Sequence, residues 1–165
     1  VLLAPAPILV PLYIVVIISI HVGAGFLAHH MPLTWFAHEA PPFRTRRFER
    51  HGRLYRRVGV HRWKDRLPEA GSLFEGGFSK RYLAAREPAY LRRYLAETCR
   101  AEASHWIAAL LMLNFFLWNP WYVGVIMVGY GLATNLPFIV VQRYNRPRVA
   151  AAYHRLTRYY PSSSS

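Results

Sequence analysis

Apolar and polar positions along the chain fall into blocks. Residues from about 8 to 28 (ILVPLYIVVIISIHVGAGFLA) carry no charge, and a run close to the ~20 residues that an α-helix needs to cross ~30 Å of hydrocarbon predicts a membrane span. A second uncharged stretch, about 103–118 (ASHWIAALLMLNFFLW), and a third, about 121–141 (WYVGVIMVGYGLATNLPFIVV), predict two more. Asn119-Pro120 separates them and is a turn signal that a helix interior rarely accepts. Trp118 and Trp121 on either side suit an interfacial aromatic belt, so the pair reads as a helical hairpin. The fold class expected is an all-α integral membrane protein with about three transmembrane helices plus amphipathic interfacial helices.

The polar block between the first two spans, residues 31–102, is too rich in Trp63, Leu67, Leu73, Phe74, Phe78, Tyr82 and Leu83 to be a solvated linker, and it should fold against the bilayer. Residues 43–58 (FRTRRFERHGRLYRRV) place Phe43, Arg47, Leu54 and Val58 near one face with arginines around the rest, the pattern of an interfacial helix, although Gly52 interrupts it. Residues 87–100 predict a second helix with Pro88 in its first turn, running on into the second span. Gly71, Gly76 and Gly77 mark loops between the two. The first span lacks a basic leader, and its apolar run exceeds the ~7–15 residues of a signal-peptide core, so it reads as a retained anchor. A length of 165 residues suits one unit, and a single membrane domain over 1–165 is expected.

Charge orients this layout. Of the 21 Lys and Arg residues, 16 lie between Arg44 and Arg100 and the remaining 5 between Arg143 and Arg158. With the hairpin tip outside, both basic segments fall on one side, which the positive-inside rule assigns to the cytoplasm. This predicts a multi-pass protein of the cell (inner) membrane, its N-terminus outside and residues 142–165 a cytoplasmic tail. A net charge of +13 is then matched by anionic membrane lipids, and no nucleic-acid partner is predicted. The single cysteine, Cys99, excludes an intramolecular disulfide and offers no zinc spacing.

Candidate chemistry concentrates where the basic block meets the second span, in Glu97-Thr-Cys-Arg100-Ala-Glu102-Ala-Ser-His105-Trp106. Glu102 and His105 are three apart and share a helix face. Ionisable groups at membrane depth are costly and usually paired or functional. A carboxylate that orients an imidazole makes a general-base pair; alternatively an arginine simply neutralises Glu102 and His105 bonds a carbonyl. Glu-x-x-His also occurs in di-iron bundles, but those need two copies and two further carboxylates, so no metal is predicted, although His21, His29, His30, His38, His51 and His61 could supply ligands by folding. Arg53, Arg62 and Lys64 belong to a second cluster fit to hold a phosphate or lipid head group; its His61/Asp65 pair is one residue too close for the His-x4-Asp motif of glycerolipid acyltransferases. A third cluster, Gln142-Arg143-Tyr144-Asn145-Arg146-Pro147-Arg148, follows the third span. Pro147 predicts a turn there with Arg146 extended.

Glu49-x-x-Gly52-Arg53, Arg62-Trp63-Lys64, Glu97-x-x-Arg100-Ala101-Glu102-x-x-His105-Trp106 and Asn135-x-Pro137-x-Ile139-Val140-Val141-Gln142-Arg143-Tyr144-Asn145-Arg146-Pro147-Arg148 resemble, in order and approximate spacing, the glycosyl-4,4′-diaponeurosporenoate acyltransferase family of carotenoid biosynthesis. The resemblance covers roughly residues 43–150, and its last motif is the most specific. It implies a small membrane enzyme that esterifies a sugar hydroxyl of a glycosylated carotenoid, or a similar glycolipid acceptor, with a fatty acyl group. The donor would be an acyl thioester, acyl-CoA or acyl carrier protein, with no tightly bound cofactor. On this reading His105, oriented by Glu102, removes the hydroxyl proton; Arg100, Arg143 and Arg146 bind phosphate or the oxyanion; and Gln142 or Asn145 contacts the carbonyl. Ser104 and Cys99 are secondary nucleophile candidates. Asp65 departs from the family pattern.

Two other functions fit the same residues. One is a non-catalytic pigment- or lipid-binding subunit of a larger membrane complex, its groove lined by Phe115, Phe116, Trp118, Trp121 and Tyr122; the other is a metal-dependent lipid oxidoreductase.

Overall fold

The computed structural model describes residues 6–68, 85 and 87–159, and every regular element among them is helical. Helix α1 spans Ala6–His30 and is followed by a 3-10 turn at Leu33–Trp35. A 3-10 helix over Arg47–Gly52 leads into two short helices, α2 (Arg53–Arg57) and α3 (Val60–Trp63), and a 3-10 turn at Lys64–Arg66. Helix α4 spans Pro88–Leu111 and passes into a 3-10 segment, Met112–Leu117. The last helix, α5, is Trp121–Tyr159. Two helices, over Pro7–His30 and Trp121–Arg158, are long and apolar enough to cross a membrane.

Pro88 stands at the start of α4 as expected, where its missing N–H costs nothing, and the helix runs unbroken past Arg100. The turn at Asn119-Pro120 is also present. Asn119 donates from Nδ2 to the Phe115 carbonyl at 3.1 Å, and the Pro120 carbonyl accepts from the Val123 and Gly124 amides at 3.0 and 3.2 Å. The Tyr13 hydroxyl donates to Asn119 Oδ1, tying the tip to α1. Below the tip, α4 and α5 pack antiparallel. A Cβ on Gly131 would lie 2.5 Å from Met112 Cγ, so a bare position on α5 is what lets the end of α4 come this close.

Three sequence expectations differ from the structure. The interfacial helix over 43–58 is instead broken at Gly52, which adopts φ 86°. Its Cβ would sit 3.3 Å from Pro147 Cγ and 3.4 Å from the Tyr144 carbonyl; the chain bends there because α5 presses against it. The inward residues are accordingly Glu49, Gly52, Tyr55 and Val60, while Val58 is 63% exposed. Gly52→Ala should destabilise the protein by about 1–2 kcal/mol, the cost of a left-handed residue bearing a Cβ. Denaturant unfolding in detergent checks this, and an unchanged midpoint would show that the positive φ is dispensable.

The second difference is at Pro147. No turn forms there; Pro137 and Pro147 both lie inside α5, which continues to Tyr159. Each proline removes one helical hydrogen bond, but Arg143 and Arg146 anchor α5 to three other segments next to Pro147, and that tethering outweighs a local break. Thirdly, the stretch after Val141, read from sequence as a tail, contributes to both cores. Val149 packs with Leu91, Tyr94 and Leu95 of α4, joined by Tyr153 and Leu156. Tyr144 packs with Tyr55 and Val60, against Trp63. Leu73, Phe74, Phe78, Tyr82, Leu83 and the glycines at 71, 76 and 77 lie outside the described residues.

Candidate active site

On α4, Thr98, Glu102 and His105 follow at intervals of four and three; on α5, Asn135, Gln142 and Arg146 follow at seven and four. Each set therefore lies on one helix face, and the two faces meet. Thr98 and Glu102 oppose Arg146, and His105 opposes Asn135.

At the centre is Glu102, 1% exposed. Its Oε1 accepts from Arg143 Nε at 2.7 Å and from Trp106 Nε1 at 3.4 Å, and its Oε2 accepts from Arg146 Nη2 at 2.6 Å. Arg146 is 2% exposed, and its other donors reach Thr98 Oγ1 at 3.2 Å, the Thr98 carbonyl at 3.1 Å and the Phe43 carbonyl at 2.7 Å. Arg143 continues to Glu49 Oε1 at 3.0 Å and to the Pro42 carbonyl at 2.8 Å. Glu49 also accepts from the Tyr55 hydroxyl and the Arg46 backbone N–H. Two carboxylates thus face two guanidinium groups, and the buried charges balance, which is the condition under which such a cluster is tolerated. Arg100 stands one turn away in a two-point contact with Glu97, at 2.7 and 3.1 Å, and donates to the His29 carbonyl of α1 at 3.2 Å.

Burial alone would raise the Glu49 carboxyl. The hydrogen bonds from Tyr55, Arg46 and Arg143, with the charge of Arg143, more than offset this and hold it below its ordinary value of 4.5. A carboxylate shifted this way contributes stability that is complete above that ordinary value and is lost as pH falls through the lower, folded one. Glu49→Gln is therefore expected to lower the unfolding temperature at neutral pH and to flatten its fall between about pH 5 and 3. A variant with the same acid slope as wild type would show that another group controls acid unfolding. The Tyr55 phenol, buried beside Glu49, is pushed up and stays a hydrogen-bond donor.

His105 is partly exposed. Its Nδ1 lies 2.9 Å from Asn135 Oδ1, and its ring stacks on Phe138 at 4.6 Å between centroids, 16° from parallel. The partner at Nδ1 is therefore an amide, where the sequence suggested the Glu102 carboxylate. Gln142, 8% exposed, has its Oε1 buried without a hydrogen-bond partner. Asn145 is partly buried, Arg53 and Arg62 are exposed, and Lys64 pairs with Asp65 at 2.5 Å. Burial pushes the Cys99 thiol up to about 11, so it is protonated at neutral pH and a poor nucleophile. Ser104 donates to the Ala101 carbonyl of its own helix at 2.8 Å.

Of the histidines considered as metal ligands, His21 and His30 place Nδ1 against carbonyls of their own helix at 2.8 and 2.9 Å, and His61 is exposed. His38, Glu39 and His154 bring one ligand atom each within 4.8 Å of one another, with Glu39 and His154 exposed. Asn135, Tyr55 and Phe138 were given no role from sequence. The seven-residue step from Asn135 to Gln142 was a visible pointer to the first, whereas nothing local marks Tyr55.

A sequence model of the family described as glycosyl-4,4′-diaponeurosporenoate acyltransferase matches residues 34–155. That stretch holds the whole ion network, His105 and Asn135. The chain belongs to this family. Relatives named glycosyl-4,4′-diaponeurosporenoate acyltransferase from Staphylococcus aureus strains USA300, NCTC 8325 and MRSA252 are each 31% identical over 133 residues, which is 80% of this chain and 80% of theirs. No solved structure matches.

Proposed function

We propose that this chain is a membrane acyltransferase that esterifies a hydroxyl of a glycosylated carotenoid, or of a similar glycolipid, with a fatty acyl group carried as a thioester. Family membership supports the reaction class, since the relatives' name specifies acyl transfer to a glycosylated carotenoid acid. The observation that carries the assignment to a site is the position of His105. It is held by Asn135 and Phe138 of α5, one turn along α4 from Glu102, and the residues that follow it on α4 include exposed apolar ones, Trp106 at 39% and Leu110 at 62%. A base held rigidly beside lipid-facing surface suits an acceptor that arrives through the bilayer.

In the scheme we favour, His105 takes the proton from the sugar hydroxyl as its oxygen attacks the thioester carbonyl. The tetrahedral intermediate collapses with cleavage of the C–S bond, and the imidazolium returns the proton to the departing thiolate. The orphaned Gln142 Oε1 is a ready acceptor for an acceptor hydroxyl, because a buried oxygen without a partner costs about 1–3 kcal/mol that a bound donor would recover. Its amide and that of Asn145 are the candidates to donate to the carbonyl oxygen. Arg53, Arg62 and Lys64 are the candidates to hold the donor's phosphates. Arg100, Arg143 and Arg146 spend their donors on carboxylates and carbonyls, so we assign them to positioning α4 and α5 and to the positive field around the carbonyl oxygen. No tightly bound cofactor enters the scheme.

We place the protein in the cell membrane with spans over 8–28, 103–118 and 121–141, the N-terminus outside and the basic segments cytoplasmic. The broadly exposed apolar face of α1, including Ile14, Val15, Ile18, Val22 and Phe26, supports lipid contact. The reaction is tested with purified protein in lipid vesicles, given a labelled fatty acyl thioester and a glycosylated carotenoid. Label in an ester on the sugar is the expected result. Hydrolysis to free fatty acid alone, or pigment bound without ester, would overturn the assignment, and the latter would favour a pigment-binding subunit.

A further inference from the structure

A second polar chain, separate from the ion network, crosses three helices. On α1, His21 Nδ1 lies 2.8 Å from the Ile17 carbonyl. A carbonyl only accepts, so this nitrogen carries the hydrogen, and the neutral ring must accept at Nε2. That Nε2 is 3.3 Å from Asn135 Nδ2 on α5. The same Nδ2 donates to the Gly131 carbonyl at 2.8 Å. Two acceptors on one end identify it as the NH₂ end, which fixes the orientation of the amide. Oδ1 therefore faces His105 Nδ1, 2.9 Å away on α4, and Oδ1 only accepts. Donor and acceptor identities propagate in one direction, from a backbone carbonyl on α1 to the imidazole on α4.

We infer that Asn135, backed by His21, is a positioning residue that locks His105 in the Nδ1–H tautomer and so puts the basic lone pair on Nε2. Asn135 is 1% exposed, so the amide cannot exchange its partners for water, and in such surroundings a satisfied hydrogen-bond chain specifies one arrangement. The Phe138 ring, parallel to the imidazole to within 16°, holds the ring plane, so Nδ1 stays opposite Asn135 Oδ1. A histidine imidazole in water exchanges between its two neutral forms and favours hydrogen on Nε2, and one that carries hydrogen at the attacking position cannot accept a proton there. His21 lies before the 34–155 stretch matched by the family model, so α1 contributes to the site rather than serving as an anchor alone. The catalytic consequence rests on the base role proposed for His105; the tautomer itself does not.

The test is ¹⁵N NMR of histidine-labelled protein in bicelles, with the His105 signals identified by their loss in His105→Gln. Ring nitrogens with and without hydrogen are well separated, so the tautomer is read directly. Wild type is expected to show hydrogen on Nδ1 and a bare Nε2. Asn135→Asp keeps an acceptor oxygen and should keep that tautomer, whereas Asn135→Leu should move hydrogen to Nε2. In the vesicle assay, Asn135→Leu is expected to lose about 10–100-fold in kcat, the scale seen when an orienting partner of a functional histidine is removed, with KM for the thioester unchanged. Hydrogen on Nε2 in wild type, or an unaltered tautomer in Asn135→Leu, would overturn the inference. Should the tautomer respond as stated while His105→Gln keeps full activity, the base assignment fails and the positioning of the imidazole stands.

Discussion

His105→Gln is expected to lower ester formation by about 10²–10⁴-fold, the usual contribution of a positioned general base, while leaving the unfolding temperature within a few degrees of wild type. Glutamine can still donate to Asn135 Oδ1 and fill much of the space over Phe138, so the substitution removes proton acceptance with little loss of packing. His105 is partly exposed, and the buried carboxylate of Glu102 keeps its bonds to Arg143 and Arg146 without it, which is why its loss should register in rate more than in stability. The measurement is initial rate of sugar ester formation in vesicles, together with thermal unfolding of the same preparations. A rate within about threefold of wild type, well below the contribution of a base, would move the chemistry elsewhere on the chain.

Arg146→Met is expected to do the opposite, costing about 3–5 kcal/mol of stability, the scale for breaking a buried ion pair by removing one partner. The native cluster balances Glu49 and Glu102 against Arg143 and Arg146. Methionine leaves two buried carboxylates facing one guanidinium and strips the Phe43 and Thr98 carbonyls of their donor. Arg146→Lys should recover only part of this, because an ammonium is a point charge and cannot reach Thr98, Phe43 and Glu102 in one plane. The informative comparison is Arg146→Met combined with Glu102→Leu. Removing both members leaves Glu49 and Arg143 as a neutral pair, so the double variant should be more stable than Arg146→Met alone, in line with the near-neutral exchange of buried pairs for apolar groups. If adding Glu102→Leu makes matters worse, Glu102 stabilises the fold by something other than its charge partner.

How far the site could be read before folding follows from the range of each interaction. Glu102 and His105 belong to one helix three residues apart, so their shared face was evident. Arg143 and Arg146 stood out as cations beside an apolar run. What no local pattern reveals is which acid meets which base across 40 or so positions, and the pairing found here exchanges the anticipated partners: both oxygens of Glu102 engage arginines, while the imidazole meets an amide 30 residues away. The Pro147 reading failed for a related reason. Local stereochemistry argues for a helix end there, but that preference is worth a few kcal/mol, less than the anchoring by Arg143 and Arg146 in the turn before it.

By itself the amino-acid order determined the helical character, the turn at Asn119-Pro120, the start of α4 at Pro88 and the family resemblance, because these depend on apolar run length, proline geometry and contiguous motifs. Only the tertiary structure decided that α5 continues through Pro147, that Gly52 bends the chain against it, and that Asn135 with His21 orients His105. Each of those depends on groups distant in sequence being forced together out of water, where an unpaired charge or amide is expensive enough to override the preferences of the local backbone.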